Sequence, residues 1–149
     1  MVQIRPRAFP VERGKVHEFA NAILDEHPYY HDEAAARGAG LPAVTAPPTF
    51  VMASALFEGA AVRAPTEVES FDMRFALHGA QEFVFERPLL AGDVLTGEPG
   101  DVRTYEKRGG RGGLMKFVEF ETVYRDQQGS VVLRSRTTAI QTEGVVQET

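Results

Sequence analysis

The sequence predicts a single α+β domain in which an antiparallel sheet wraps around one long, buried helix. Two observations support this fold class. Apolar residues recur at helical spacing in the first part of the chain, and after Pro65 they alternate with polar residues in runs of strand length. Helices gathered in one part of a chain and strands in the other are typical of α+β folds. The chain of 149 residues fits one domain with a sizeable core, so the whole of 1–149 is taken as that domain.

Two short helices are predicted ahead of the long one. Residues 11–24 form the first, because apolar residues share one face, and it ends before Pro28, since a proline disfavours helical geometry in the residue before it. Residues 33–37 form the second, between a capping Asp32 and a terminating Gly38. The apolar residues on the first helix are Val16, Phe19, Ala20, Ile23 and Leu24.

The long central helix is predicted over residues 49–61, with the sequence TFVMASALFEGAA. Pro48 lies near its first turn, where a missing N–H costs little. Only Thr49, Ser54 and Glu58 interrupt the apolar surface of this segment. A helix that is apolar nearly all round is buried, so this helix is expected to form the centre of the core beneath the sheet.

The strands follow the central helix. The turn sequence Asp-Gln-Gln-Gly at 126–129 predicts a tight hairpin, and the glycine-rich segment 109–113 predicts a looser one. A short first strand is expected around Ile4, which gives about five strands. A helix wrapped by such a sheet is the hotdog fold. The four later strands are predicted over 81–87, 94–105, 114–125 and 130–141.

Composition excludes several classes of function. The chain has no cysteine, which rules out disulfides, zinc–thiolate sites and cysteine nucleophiles. Its net charge of −5 disfavours nucleic-acid binding. No apolar run is long enough for a membrane span, and the N-terminus lacks the apolar core of a signal peptide, so a cytoplasmic protein is expected. The four histidines have no metal-binding spacing, so no metal is expected.

Four segments carry a resemblance to a known family. They read Asp-x-His-Pro at 25–28, Tyr-His-Asp-Glu-Ala-Ala-Ala at 30–36, Ala-Pro-Pro-Thr-Phe at 46–50, and Phe-x-Phe-Glu-Arg-Pro-Leu-Leu-Ala-Gly-Asp at 83–93. Over about residues 9–141 the chain resembles the MaoC-like dehydratases, and more narrowly the FAS1-like dehydratase N-terminal domain. It is also similar to the non-catalytic subunit of mycobacterial (3R)-hydroxyacyl-ACP dehydratases.

The resemblance implies reversible hydration of a trans-2-enoyl thioester to an (R)-3-hydroxyacyl thioester, with acyl-CoA or acyl-ACP as substrate and no cofactor. A carboxylate and an imidazole must hold and deprotonate one water, and backbone N–H groups must stabilise the enolate oxygen. Catalytic members supply the first through Asp-x-Asn-Pro-x-His and the second through a glycine at the start of the central helix.

Mapped onto this sequence, Asp25 matches the catalytic aspartate and His27 takes the asparagine position. Tyr30 occupies the position of the catalytic histidine, and His31 lies one residue later. At the helix start, Pro48 replaces the glycine and has no N–H to donate. Asp25 and His31 are therefore the candidate acid/base residues. The residues expected to contact substrate are His27, Tyr30, Pro47, Pro48, Thr49, Phe50 and His78.

Several interpretations remain open from the sequence. The favoured one is a partner subunit that lends one wall of the acyl tunnel to a catalytic MaoC-like chain. A self-sufficient homodimer using Asp25 and His31, a non-enzymatic acyl-thioester-binding module, and a thioesterase using Glu58 are the alternatives. Asp25 could also simply cap a turn, His31 could be a surface residue, and His17 is expected to be solvated. The exposed edge of the sheet predicts a homodimer or a heterodimer.

A cationic hairpin tip offers one further hypothesis. Lys107, Arg108 and Arg111 surround the glycines of 109–113. The segment is not a P-loop, because it lacks the glycine-lysine-serine/threonine ending. A solvated flexible tip is the favoured interpretation, and contact with the phosphates of CoA or with an acidic carrier protein is the alternative.

Overall fold

The computed structural model describes residues 8–56, 71–109 and 113–143. Over these residues five strands form one antiparallel sheet in the order β1-β3-β4-β5-β2. The strands are β1 (Phe9–Pro10), β2 (Ala76–Phe85), β3 (Val94–Arg108), β4 (Leu114–Arg125) and β5 (Val131–Gln141). The α-helices are α1 (Arg13–Ala22) and α2 (Glu33–Gly38), and the 3₁₀ helices are Pro28–Tyr30, Pro48–Leu56 and Met73–Phe75.

The predicted fold class is confirmed, since the sheet is a curled, antiparallel five-stranded one. The prediction for β4 matches its observed bounds, and β5 begins one residue later than predicted. β2 begins at Ala76 and β3 continues to Arg108, so both are longer than predicted. The first strand is Phe9–Pro10. Ile4, which was expected in that strand, lies outside the described residues.

The end of α1 differs from the prediction. The helix ends at Ala22, and Leu24 adopts a φ of 59°, in the left-handed region. That reversal lets the Asp25 N–H donate to the Ala20 carbonyl at 2.9 Å. Ile23 and Leu24 are 47% and 88% exposed, so the prediction that they share the buried face of α1 is wrong. In α2, Asp32 accepts a hydrogen bond from the Ala35 N–H at 2.6 Å, as an N-cap should.

The central helix is described from Pro48 to Leu56, where it is a 3₁₀ helix, and residues 57–61 of the predicted helix lie outside the described part. Three residues per turn bring Val51 and Ser54 onto one buried face. The same repeat turns Met52 outward, where it is 47% exposed, and Leu56 at the end of this segment is 81% exposed. The prediction of burial all round is therefore wrong for this segment.

The core lies between the central helix, α1 and the sheet. The Phe50 ring is its centre, with the Phe9 ring at 5.6 Å and the Phe19 ring at 5.3 Å between centroids. Offset and edge-to-face aromatic pairs at these distances add to the gain from burial. The buried residues of this cluster are Phe9, Val11, Val16, Val44, Ala46, Phe50, Val51, Leu89, Leu95, Tyr124, Val132 and Leu133.

The segment 83–93 has a structural role. Arg87 donates to both carboxylate oxygens of Asp93 at 2.8 Å and to Asp126 at 3.0 Å. Asp93 also accepts from the Leu90 N–H at 2.9 Å. The Arg87 guanidinium holds the pKa of Asp126 below its usual range. This ion-pair cluster joins the β2–β3 connection to the β4–β5 hairpin.

Candidate functional site

The loop between α1 and α2 carries the candidate acid/base residues. The Asp25 carboxylate accepts from the His27 N–H at 3.1 Å, and His27 Nδ1 accepts from the Tyr29 N–H at 3.5 Å. These local bonds, of the kind that fold turns around aspartate, set up the 3₁₀ helix Pro28–Tyr30. The Asp25 carboxylate is therefore oriented by the backbone of its own loop.

His31 has hydrogen-bond partners at both ring nitrogens. Its Nε2 lies 2.9 Å from the backbone oxygen of Asp25, so this nitrogen carries the proton and donates. Its Nδ1 lies 2.8 Å from Nδ1 of His17 and accepts from it. His17 Nε2 then accepts from the Asn21 side-chain amide at 3.1 Å. The partners fix one consistent set of tautomers in a chain that runs from Asn21 through His17 and His31 to Asp25.

The two candidate catalytic residues are adjacent, but the contact is not the catalytic one. His31 meets the backbone carbonyl of Asp25, while the carboxylate faces the His27 N–H. Among the described residues, no hydrogen bond joins the Asp25 carboxylate to an imidazole. His17 is exposed, as expected for a solvated residue, and it is also hydrogen-bonded to His31. No local sequence signal indicates this pair, whose members are 14 residues apart.

Tyr30, at the position expected for the catalytic histidine, packs against the hydrophobic core. Burial, and to a smaller extent the charge of Asp25, raise the pKa of its hydroxyl. The Tyr30 ring lies 5.4 Å from the His27 ring between centroids. Tyr30 therefore stays protonated at neutral pH and cannot act as a base there.

The start of the central helix is fixed by hydrogen bonds to the segment after β2. The Ala46 N–H and the Thr45 hydroxyl both donate to the Leu89 carbonyl, at 2.8 and 2.9 Å. Pro47 is fully buried, whereas Pro48 and Thr49 are exposed. The Phe50 N–H donates to the Pro47 carbonyl at 2.9 Å. Pro48 stands at the position where the resemblance places a glycine, and it has no N–H to donate to an enolate oxygen. The N–H of Phe50 is already hydrogen-bonded within the helix.

Two of the residues expected to contact substrate, Phe50 and His78, line separate cavities. Phe50 lines an apolar cavity of about 430 Å³ between α1 and the central helix, together with Phe19 and Leu56. The Lys15–Glu18 ion pair, 2.8 Å long, lies at its rim. His78 lines a smaller cavity of about 170 Å³ on the concave face of the sheet. The structure therefore does not bring Phe50 and His78 to one pocket.

Two of the three predicted phosphate-contacting residues, Lys107 and Arg108, lie at the end of β3. The Lys107 ammonium is held over two stacked rings, 5.1 Å from the Tyr105 centroid and 5.4 Å from the Phe117 centroid. Arg108 is the last residue of β3, and Arg111 lies outside the described residues. These cation–π contacts hold the Lys107 ammonium against the aromatic side chains of β3 and β4.

The described residues contain neither a metal-binding cluster nor a membrane-spanning helix. Ranges 8–56, 71–109 and 113–143 contain no group of three or more histidine, aspartate or glutamate residues that could hold a metal ion. Within the same ranges, every helix is too short or too polar to cross a lipid bilayer.

Comparison with known proteins agrees with this geometry. A chain of the C-terminally truncated HadBC (3R-hydroxyacyl-ACP dehydratase) complex from Mycobacterium tuberculosis superposes with a TM-score of 0.75 and 29% identity over 91% of each chain. A structure described as a MaoC-like dehydratase superposes with a TM-score of 0.73 and 30% identity over 91% of this chain and 39% of that one. The chain therefore shares the hotdog fold of these MaoC-like dehydratase structures.

A sequence family gives the narrower assignment. Residues 2–135 match the family described as FAS1-like, dehydratase domain region, and the chain belongs to that family. A UPF0336 protein of Thermobifida fusca is 43% identical over 91 residues, which is 61% of this chain. The matched segment covers 56% to 59% of the first three curated relatives, less than two thirds of their length.

Proposed function

We propose that this chain is the substrate-holding subunit of an (R)-specific enoyl-thioester hydratase, or 3-hydroxyacyl-thioester dehydratase, whose acid/base residues come from a catalytic MaoC-like partner. One observation carries this proposal: both ring nitrogens of His31 are hydrogen-bonded within the chain. A general base needs a free lone pair within reach of the attacking water. The imidazole of His31 has none in this arrangement.

The start of the central helix supports the same conclusion. Hydration of an enoyl thioester passes through an enolate whose oxygen needs preorganised N–H donors. Pro48 has no N–H, and the Phe50 N–H is bonded to the Pro47 carbonyl. Among the described residues, His31 is therefore not free to act as the base and the helix start offers no oxyanion donor at Pro48 or Phe50. The cavities that could hold an acyl thioester are present. The proposed reaction needs no cofactor.

The sheet offers a place for the partner. Within the described residues, β2 pairs with β5 along one side only, so its other side presents the unpaired backbone groups of an edge strand. Leu77 and Val84 on this strand are 58% and 48% exposed on the convex face. The HadBC neighbour is, by its description, a complex. A second hotdog chain that covers the β2 edge fits these features.

The test is hydration of trans-2-enoyl-CoA, followed as loss of the conjugated thioester absorbance. We expect the purified chain alone to give no turnover. Co-expression with a short MaoC-like protein from the same source that has an intact Asp-x-Asn-Pro-x-His motif should give a complex with turnover. The partner's motif aspartate mutated to alanine should abolish that activity, while Asp25→Ala in this chain should leave kcat within about threefold.

The alternatives correspond to the other outcomes. Turnover by the chain alone that is lost in Asp25→Ala or His31→Ala would establish a self-sufficient homodimer and overturn the proposal. A complex that binds acyl-CoA but never hydrates it would indicate a binding module. The thioesterase interpretation depends on Glu58, which lies outside the described residues; hydrolysis of saturated acyl-CoA by the chain would support it.

A further inference from the structure

The cavity of about 170 Å³ on the concave face of the sheet has several polar side chains in its lining, beside Met52, Ala55, Phe120 and Tyr124. The polar ones among the described residues are Ser54, His78, Gln81, Thr122, Ser135 and Thr137. The concave face of the sheet packs against the central helix. In a hotdog domain the space between the sheet and this helix is ordinarily filled by apolar residues. The row nearest the core is apolar or aromatic, with Phe85, Leu133 and Tyr124 side by side across three strands. Each of the next two rows combines one phenylalanine with two polar residues. These rows are Phe83, Ser135 and Thr122, and then Gln81, Thr137 and Phe120.

Part of this polar lining is satisfied internally. The Gln81 amide donates to the Ser135 hydroxyl at 2.7 Å and to the Arg136 carbonyl at 3.2 Å. Its oxygen accepts from the Thr137 hydroxyl at 2.9 Å, and His78 Nε2 lies 3.4 Å from it. Both N–H groups of the Gln81 amide are therefore occupied. Gln81 holds the neighbouring hydroxyls in fixed positions.

Two buried hydroxyl groups of the lining have no hydrogen-bond acceptor among the described residues. Thr122 is 6% exposed, and no residue in the described ranges hydrogen-bonds its hydroxyl. Ser135 is 7% exposed; its oxygen accepts from Gln81, but its O–H has no acceptor in the same ranges. The two residues are directly opposite each other on β4 and β5. A buried polar group without a partner costs free energy, so such groups are rare unless something in the cavity pairs with them.

We propose that this cavity binds a neutral, oxygen-bearing group of the thioester ligand, a hydroxyl, ketone or amide, rather than a plain hydrocarbon chain. The proposal deepens the proposed function and rests on it. The O–H groups of Thr122 and Ser135 are donors that need an acceptor, and no carboxylate, lysine or arginine lines the cavity within the described residues. The volume corresponds to about five or six water molecules, enough for a small polar group.

The polar group has two chemically equivalent sources. It could be an oxygen substituent on the acyl chain, or an amide of the pantetheine arm of CoA or of a carrier protein. Three probes separate them: hexanoyl-CoA, 6-hydroxyhexanoyl-CoA and CoA alone, titrated into the full chain and followed through the NMR signals of Thr122 and Ser135. Tighter binding of 6-hydroxyhexanoyl-CoA than of hexanoyl-CoA assigns the acyl oxygen. Equal shifts with all three assign the pantetheine amide.

The key variant is Thr122→Val, which removes one hydroxyl and keeps the shape of the side chain. The probe assigned to the cavity should bind about three- to tenfold more weakly, as expected for one lost hydrogen bond. The melting temperature without ligand should stay the same or rise, because an unpaired buried hydroxyl is removed. Thr122→Ser should keep the affinity, and Thr138→Val, on the opposite face of β5, is the matched control.

Three results would overturn the proposal. If Thr122→Val lowers the melting temperature and leaves every affinity unchanged, the hydroxyl is structural. If hexanoyl-CoA binds as tightly as its hydroxylated analogue while CoA alone leaves the two NMR signals unmoved, the cavity does not select oxygen. If no probe moves these signals although acyl-CoA binds elsewhere on the chain, the cavity holds water only. Absence of any acyl-CoA binding would instead remove the proposed function itself.

Discussion

The Nδ1 atoms of His17 and His31 lie 2.8 Å apart, with the two rings perpendicular and 4.8 Å between centroids. One of these nitrogens must carry a proton and the other must accept it. Because His31 Nε2 donates to the Asp25 carbonyl, His17 is the donor of this bond. A bond from α1 therefore holds the imidazole that stands one residue away from the family's catalytic position.

The first prediction follows from this bond. In nitrogen-detected NMR spectra at a pH where both imidazoles are neutral, we expect His17 to be the Nδ1–H tautomer and His31 the Nε2–H tautomer. His17→Phe should remove the acceptor bond at His31 and make its tautomers interconvert. His78, whose ring nitrogen lies 3.4 Å from Gln81, is an internal reference outside this chain of bonds. The Nε2–H tautomer at His17 would contradict the arrangement.

The second prediction concerns stability. Arg87→Met should lower the free energy of unfolding by roughly 3 kcal/mol, because it leaves Asp93, 8% exposed, as an unpaired buried charge. Arg125→Met removes the exposed ion pair with Glu98 and should cost less than about 1 kcal/mol. Denaturant unfolding of the two variants measures the difference. Equal losses of unfolding free energy in the two variants would show that the Arg87 cluster stabilises the fold no more than an exposed ion pair does.

The same cluster gives the acid dependence of stability. The folded-state pKa of Asp126 is lowered, first by its hydrogen bond with Arg87. A carboxylate with a lowered pKa stabilises the fold at pH values above its unfolded pKa of about 4, and that stabilisation is lost as the pH falls through the folded pKa. Unfolding curves between pH 7 and pH 2 should show this loss in the wild type and a smaller one in Arg87→Met.

The sequence predicted much of the fold because strand alternation and hairpin turns are local signals. β4 was predicted with its observed bounds, and Asp32 was predicted as the cap of α2. The central helix was less predictable, since its apolar composition does not distinguish a 3₁₀ helix with an exposed face from a fully buried α-helix. The His17–His31 pair depends on how α1 packs against the following loop, which no local pattern encodes.

Only part of the lining of the polar cavity could be predicted from the sequence. His78 was predicted to contact substrate, and it does line the cavity. Thr122 lies on the same face of β4 as Tyr124, and no local sequence signal marks its hydroxyl as part of a cavity. Ser135 and Thr137 alternate with Arg134 and Arg136 on β5. The alternation alone does not show which of these two pairs faces the cavity, because the inner face of the sheet is known only from the structure.

The third prediction tests the cationic hairpin. Lys107→Glu combined with Arg108→Glu and Arg111→Glu should raise the KM of the assembled enzyme for acyl-CoA severalfold and leave kcat unchanged, if these cations contact phosphates. The effect should shrink as salt is added, because exposed charges are screened. Arg125→Glu, on the same sheet but near the other end of β4, is the control. An unchanged KM at low salt would leave the hairpin as a solvated tip.

The fourth prediction concerns the partner interface on β2. Leu77→Lys and Val84→Lys place charges on the convex face of the edge strand, where both residues are exposed in the isolated chain. Charges next to an unpaired strand edge oppose pairing with another chain. We expect the double variant to fold with the wild-type circular dichroism spectrum but to elute without the catalytic partner in size-exclusion chromatography.

Val102→Lys is the matched control for this interface. Val102 is 57% exposed on β3, at the edge of the sheet opposite β2; it pairs with Phe120 of β4 and lies beyond the two residues of β3 that pair with β1. This variant should keep the complex intact and its hydratase activity unchanged. Loss of the complex in Val102→Lys, with retention in the β2 variant, would place the partner on the β3 side of the sheet. The exposed apolar residues of β2 would then need another explanation, and the arrangement proposed for the two subunits would be wrong.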